Sequence, residues 1–127
     1  MPHRVIVNAD DFGLSACDNA VILGAFQAGV ISSTTAMANM PAFEAACSLA
    51  RHPLLEGRVG LHFNLPAGRP LSRRILTRRT FCDSAGLFDL NLSRARLWLG
   101  HQDRRAVHEE LEAQWQRCLD NGVRPSH

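Results

Sequence analysis

The stretch Val5-Ile6-Val7-Asn8-Ala9-Asp10-Asp11-Phe12-Gly13 decides the reading of this chain. Val5 to Val7 form a short β-branched apolar run, as expected of a parallel strand buried on both faces. The run leads into two adjacent carboxylates and a glycine, ahead of a helix that opens at Ser15. In α/β folds, ligands and catalytic groups gather outside the carboxyl ends of the strands. Two acids at such an end repel each other unless a metal ion or a shared proton accommodates them. The pattern points to a metal site and to an enzyme.

Outward from this stretch, strand and helix patterns alternate. Ser15 with Asp18 makes an approximate capping box, and Val21, Ile22, Ala25 and Phe26 give a helical apolar stripe that Gly29 stops. Ile31 to Asn39 (ISSTTAMAN) reads as a second strand. Pro41 opens a second helix through Arg51, with Phe43, Ala46, Leu49 and Ala50 facing inward. Arg58 to Leu65 reads as the third strand. From Pro66 to Leu92 the periodicity weakens around Gly68, Pro70 and Gly86, which predicts a long loop. A short helix is expected around Ser93 to Leu99. A longer one is expected from Arg104 to Asn121, with Val107, Leu111, Trp115, Cys118 and Leu119 inward, Asp103 as cap and Gly122 as stop. The order argues for parallel βα units and an α/β fold. Val123 to His127 read as the approach to a fourth strand. The whole, residues 1–127, is expected to be a single incomplete domain: three βα units and a crossover helix from the front of a larger barrel-like domain.

Composition frames the function. The chain has 127 residues, 46% hydrophobic and 20% charged, which fits one globular core. A formal net charge of +2 is too small to imply nucleic acid. The basic residues are all Arg, and the densest group, Arg73, Arg74, Arg78 and Arg79, reads as a solvated loop. No apolar run is long enough to span a bilayer and no signal peptide precedes the first strand, so a cytoplasmic location is expected. Cys17, Cys47, Cys82 and Cys118 lack CxxC spacing and read mainly as reduced, buried thiols.

Within the third strand, Val59, Leu61, Phe63 and Leu65 alternate with Gly60, His62 and Asn64. His62 and Asn64 therefore project away from the apolar set, toward the interior of a barrel. Asp10 and Asp11, as neighbours on a strand, are expected to face opposite ways and so to differ in role. One can bind a metal while the other takes a proton from water. His3, His52, His101 and His108 read as solvated. Ser32, Ser33, Thr34 and Thr35 lack a His–acid partnership or a G-x-S-x-G elbow and are expected to hydrogen-bond inside the barrel. Trp98 and Trp115 read as core.

The successive segments VNADDFGLS, ISSTTAMANMPAFEAA and VGLHFNLPAGRPL resemble the N-terminal motifs of the YdjC-like carbohydrate deacetylases. This family includes chitooligosaccharide deacetylases and hopanoid-biosynthesis-associated relatives. The likeness is strong from Arg4 to about Leu71, weaker but collinear to Asn121, and resumes at Arg124 to His127. It implies a distorted TIM-like barrel, a divalent metal (Mg or Zn) held by one Asp and two His, and hydrolysis of an N-acetyl group from an amino sugar or oligosaccharide. Position by position, it makes Asp11 a metal ligand, Asp10 the general base and His62 the second ligand. The third ligand and the general acid are implied to lie past His127, which matches an earlier, non-ligating His. The chain alone is accordingly expected to be inactive and prone to self-association, a homodimer included, through an unpaired strand edge. The alternatives are a non-catalytic half-barrel or interaction unit, and another metal hydrolase on a TIM-like barrel.

Overall fold

The computed structural model describes residues 5–90 and 99–127. Three parallel strands, β1 (Asn8–Phe12), β2 (Ser33–Ala36) and β3 (Val59–Leu61), form a sheet in that order. Helix α1 (Ala16–Gln27) and helix α2 (Phe43–Leu49) make the first two crossovers, as the alternation predicts. The expected α/β parallel architecture is the one found.

The first strand is displaced from its expected place. Val5 and Ile6 are each 78% exposed, and the ladder starts at Asn8, opposite Ser33. The acidic motif is therefore the strand itself and not its exit. No described element lies over the Val5 and Ile6 side chains, which flank an open hollow with Ser32, Arg58 and His127. The second and third strands and α2 are likewise shorter than their apolar patterns, the regular strands ending at Ala36 and Leu61.

Ser15 caps α1 as predicted, its Oγ accepting from the Asp18 N–H. Gly13, at φ +94°, turns the chain from β1 into that cap; a Cβ there would lie 3.1 Å from the Phe43 Cα. Phe12, Ile22, Phe26, Phe43, Ala46, Leu55 and Val59 build the main core, closed by Cys118 and Val123. Cys47, Cys82 and Cys118 are buried, whereas Cys17 is exposed, contrary to its expected burial.

The expected long loop has structure of its own. Helix α3 (Arg73–Leu76) and an antiparallel bridge between Cys82 and Phe88 place Ile75, Phe81, Cys82 and Phe88 against Ala106 of the last helix, α4 (His101–Asp120). The Arg group is only partly solvated. Arg74 Nε pairs with Glu109 at 2.8 Å and Arg78 Nε with Asp103 at 2.6 Å, because α4 turns its acidic residues toward α3. Asp103 is thus spent on Arg78, and Gly100 stands at the helix cap. The short helix expected over Ser93 to Leu99, and Trp98 with it, fall largely on residues 91–98, outside the described residues, as does His3.

The inward face of α4 also differs from the apolar stripe. Asp103, Ala106, Glu110, Gln114 and Cys118 are buried, while Leu111 and Trp115 are 39% and 43% exposed. Leu111 and Trp115 instead wall an open groove with Leu61 and Phe63. Gly122 ends α4 at φ +78°, as predicted. Beyond it the tail follows the free edge of β3: the Ser126 N–H donates to the Val59 carbonyl (2.9 Å) and the Leu61 N–H to the His127 carbonyl (2.8 Å). Among the described residues, no helix is long and apolar enough to cross a membrane.

Candidate functional site

The sheet brings the two carboxylates and His62 to one face, by a route that strand alternation alone does not supply. Ala9 pairs with Thr34 and Phe12 with Ala36, so β1 carries one more residue than β2 over this interval, a bulge. Asp11 takes up the extra residue with φ +68°, a left-handed conformation uncommon outside glycine but tolerated better by Asp than by most residues. The bulge cancels the alternation. Asp10 and Asp11 do not face opposite ways, as a regular strand would require.

Their partners fix the shared face. Asp10 Oδ1 accepts from Thr35 Oγ1 and from Asn8 Nδ2, both at 2.8 Å. Thr35 stands opposite Gly60, and His62 lies two residues further along the same chain, so Thr35 and His62 share a face. The His62 N–H still bonds the Ala36 carbonyl (2.9 Å), which carries the ladder one residue past β3. From there the ring reaches Asp11: His62 Nδ1 is 3.4 Å from Asp11 Oδ1 and 3.4 Å from the Asp11 backbone nitrogen. The neutral ring can accept from that N–H, and a protonated Nδ1 would face the carboxylate. The pair is open to solvent, with side chains 31% and 50% exposed for His62 and Asp11. Among the described residues, no group of three His, Cys, Asp or Glu side chains is placed to hold a metal ion.

The polar run at the start of β2 is bonded one hydroxyl at a time. Ser32 bonds the Val7 backbone, Thr34 donates to the Ala9 carbonyl, and Ser33 Oγ meets His127 Nε2 at 3.0 Å. The His127 ring lies over Gly60, where any Cβ would come within 2.8 Å of it. His52, His101 and His108 are exposed, as expected, His108 beside Glu112 at 3.5 Å.

Asn64 is not on the open face with His62. Strand geometry ends before it, and its side chain is fully buried, donating to Asn39 Oδ1 (2.7 Å) and to the Ala67 carbonyl. Its backbone is held from α4 by the Gln114 amide. Sequence reasoning missed Thr35 as the partner of Asp10, misplaced Asn64, and did not foresee its network with Asn39, Glu110 and Gln114. A signal for the latter exists: Glu110 and Gln114 are one helical turn apart, in line with the small residues Ala106 and Cys118.

A family model for YdjC-like proteins matches residues 4–127. The chain belongs to the YdjC-like family. Within that family it is 44% identical, over all of its own length, to a carbohydrate deacetylase of Geobacillus stearothermophilus, of which it covers 48%. It is 38% identical to a carbohydrate deacetylase of Clostridium beijerinckii, over 98% of this chain and 47% of that protein. A solved structure from Enterococcus faecalis V583, described as a cellobiose-phosphate cleavage protein, superposes with a TM-score of 0.81 at 31% identity, over 96% of this chain and 46% of that one. This YdjC-like chain therefore spans about half the length of the curated relatives it matches. The likeness runs through the segments that carry Asp10, Asp11 and His62.

Proposed function

We propose that the chain supplies the first part of the active site of a metal-dependent deacetylase, which hydrolyses the N-acetyl group of an amino sugar or oligosaccharide. The observation that supports this reading is the approach of His62 Nδ1 to Asp11 Oδ1, 3.4 Å, beside an Asp10 carboxylate oriented on the same face. An oxygen and an imidazole nitrogen at that separation fit a single divalent ion, whose bonds to such donors are about 2.0–2.2 Å for zinc. The mixed donor set suits Zn, and the carboxylate also suits Mg. Asp11 and His62 would hold the ion. The chemistry such an ion supplies when bound is polarisation of the amide carbonyl and acidification of water.

The remaining work falls to Asp10. Thr35 and Asn8 both donate to its Oδ1, and among the described residues none bonds Oδ2, the oxygen that would accept a proton from the attacking water. In the balanced reaction a C–O bond forms at the acetyl carbon, the C–N bond breaks, acetate leaves, and the sugar amine gains a proton.

The test has a binding arm and a turnover arm. In the binding arm the chain is titrated with Zn²⁺ and Mg²⁺. Asp11→Asn and His62→Ala are expected to weaken uptake, and Asp10→Asn to leave it largely intact. In the turnover arm, residues 1–127 are joined to the second half of the Geobacillus relative, and acetate release is measured from N-acetylglucosamine oligomers. The joined protein is expected to release acetate, and Asp10→Asn within it to stop release while metal stays bound. A folded, metal-loaded joined protein that releases no acetate would overturn the proposal. Loss of metal with Asp10→Asn and retention with Asp11→Asn would reverse the two roles.

A further inference from the structure

Helix α4 buries polar side chains where an amphipathic helix would bury apolar ones. Glu110 and Gln114 are completely buried, while the larger apolar Leu111 and Trp115 stay partly in solvent. Burying a carboxylate and an amide is costly unless their bonds are made inside. Here they are made, and nearly all of them go to backbone. Gln114 Oε1 accepts from the Asn64 N–H at 3.0 Å, and Gln114 Nε2 donates to the Asn64 carbonyl at 2.7 Å and to Glu110 Oε1 at 2.9 Å. Glu110 in turn accepts from the Leu71 and Ser72 N–H groups.

Asn64 is two residues past His62, at the point where the sheet has already ended. Among the described residues no strand neighbour is bonded to its backbone; the Gln114 side chain takes that place and satisfies donor and acceptor together. The Asn64 side chain then ties this point to Asn39, which follows β2. The exits of β2 and β3 are thus fastened to each other and to α4. Only a primary amide can do what Gln114 does: a carboxylate has no donor for the Asn64 carbonyl and would oppose Glu110, and a thioether has neither group.

We infer that Gln114 is a positioning residue for the candidate site: it fixes the chain beyond His62 so that the His62 ring meets Asp11. Its catalytic meaning rests on the proposed roles of Asp11 and His62; its structural content rests on the bracket around Asn64. The Gln114 bonds go to Asn64 and Glu110 and not to Asp10, Asp11 or the His62 ring, so its influence on the site is carried by backbone.

The experiment compares the wild-type chain, Gln114→Met and Phe26→Leu, the last a core change far from the bracket. Without metal, amide exchange of Asp11 and the ring resonances of His62 are followed by NMR; Zn²⁺ affinity is then measured by titration of the joined protein carrying the same substitutions. In Gln114→Met, Asp11 exchange is expected to rise at least about tenfold and the His62 resonances to move, with Ile22 and Phe26 amides unchanged. Zn²⁺ affinity is expected to fall about 10- to 100-fold, the usual range for losing a group that orients a ligand. If Gln114→Met does not fold, Gln114→Asn, whose shorter side chain cannot span both backbone groups, is read in the same way. Unchanged Asp11 exchange and His62 resonances would overturn the inference, and so would equal changes in Phe26→Leu. A folded wild-type joined protein that takes up no Zn²⁺ would instead overturn the metal reading, and the exchange data would still decide the role of Gln114.

Discussion

Glu109 and Glu110 are sequence neighbours with opposite energetic weight, and replacing each by alanine separates them. Glu110 is fully buried. Its carboxylate accepts from the Leu71 N–H at 3.0 Å and 3.1 Å, from the Ser72 N–H at 2.7 Å and from Gln114. Glu110→Ala leaves both backbone donors without an acceptor, at about 1–3 kcal/mol each, and loses the charge-assisted bond to Gln114. Relief from burying a carboxylate offsets part of this, so a net loss of about 3–5 kcal/mol is expected. Glu109 lies on the outer side of the same helix, bonded to Arg74 and Arg105. The Arg74 hydrogen bond holds its carboxyl below the usual range, but water and salt compete for that pair, and Glu109→Ala is expected to cost far less. The assay is equilibrium urea unfolding followed by circular dichroism, at low salt and in 1 M NaCl. With m near 1–3 kcal/mol/M, the Glu110→Ala midpoint should drop by about 1–5 M. Its loss should survive high salt, whereas that of Glu109→Ala should fade. Equal midpoints for the two variants, or a Glu110→Ala loss that salt abolishes, would refute the reasoning.

Other substitutions and conditions probe different parts of the structure. Gly60→Ala would put a Cβ 2.7 Å from the His127 carbonyl oxygen, so the tail should leave β3 and the Leu61 amide should exchange with solvent as a free edge; unchanged protection would contradict the tail pairing. Burial pushes the Cys47 thiol up to about 11 and the Cys118 thiol up to about 12, from an ordinary value of 9.0. The unfolded chain therefore loses these protons first, and stability should fall as pH rises from 9 toward 11; Cys47→Ala and Cys118→Ala together should shrink the effect to the part that the buried Cys82 thiol, also raised by burial, contributes. At pH 8 a thiol reagent should label Cys17 rapidly and the other cysteines only on unfolding.

Much of the fold was legible because it rests on local chemistry that one stretch of chain carries by itself. The Ser15 cap, the stop at Gly122 and the strand–helix alternation are of this kind. The acidic pair and His62 were legible as neighbours because both follow apolar strand patterns in a parallel sheet; only the family resemblance singled out Asp11 from Asp10. What stayed hidden depends on partners distant in sequence. The Asp10–Asp11 bulge is a mismatch of register with β2, and no periodicity within β1 reports it. The burial of Glu110 and Gln114 hides for a similar reason: their partners are backbone groups at Asn64, Leu71 and Ser72, which any sequence supplies. A hydrophobic pattern counts Leu111 and Trp115 and misses that the polar face is the satisfied one. Val5 to Val7 misled in the opposite direction, since an apolar run announces a demand for burial and not its fulfilment.

The left-handed backbone at Asp11 places two independent filters on a single codon. The conformation tolerates glycine, asparagine and aspartate and penalises most other side chains, β-branched ones above all. The proposed chemistry asks for a carboxylate. A library of all replacements at this position, sorted first for folded protein and then for acetate release in the joined enzyme, should therefore narrow in stages, from a small set of turn-forming residues to aspartate alone. Glutamate would be rejected at the first gate although it carries the right charge, and asparagine would pass the first and fail the second.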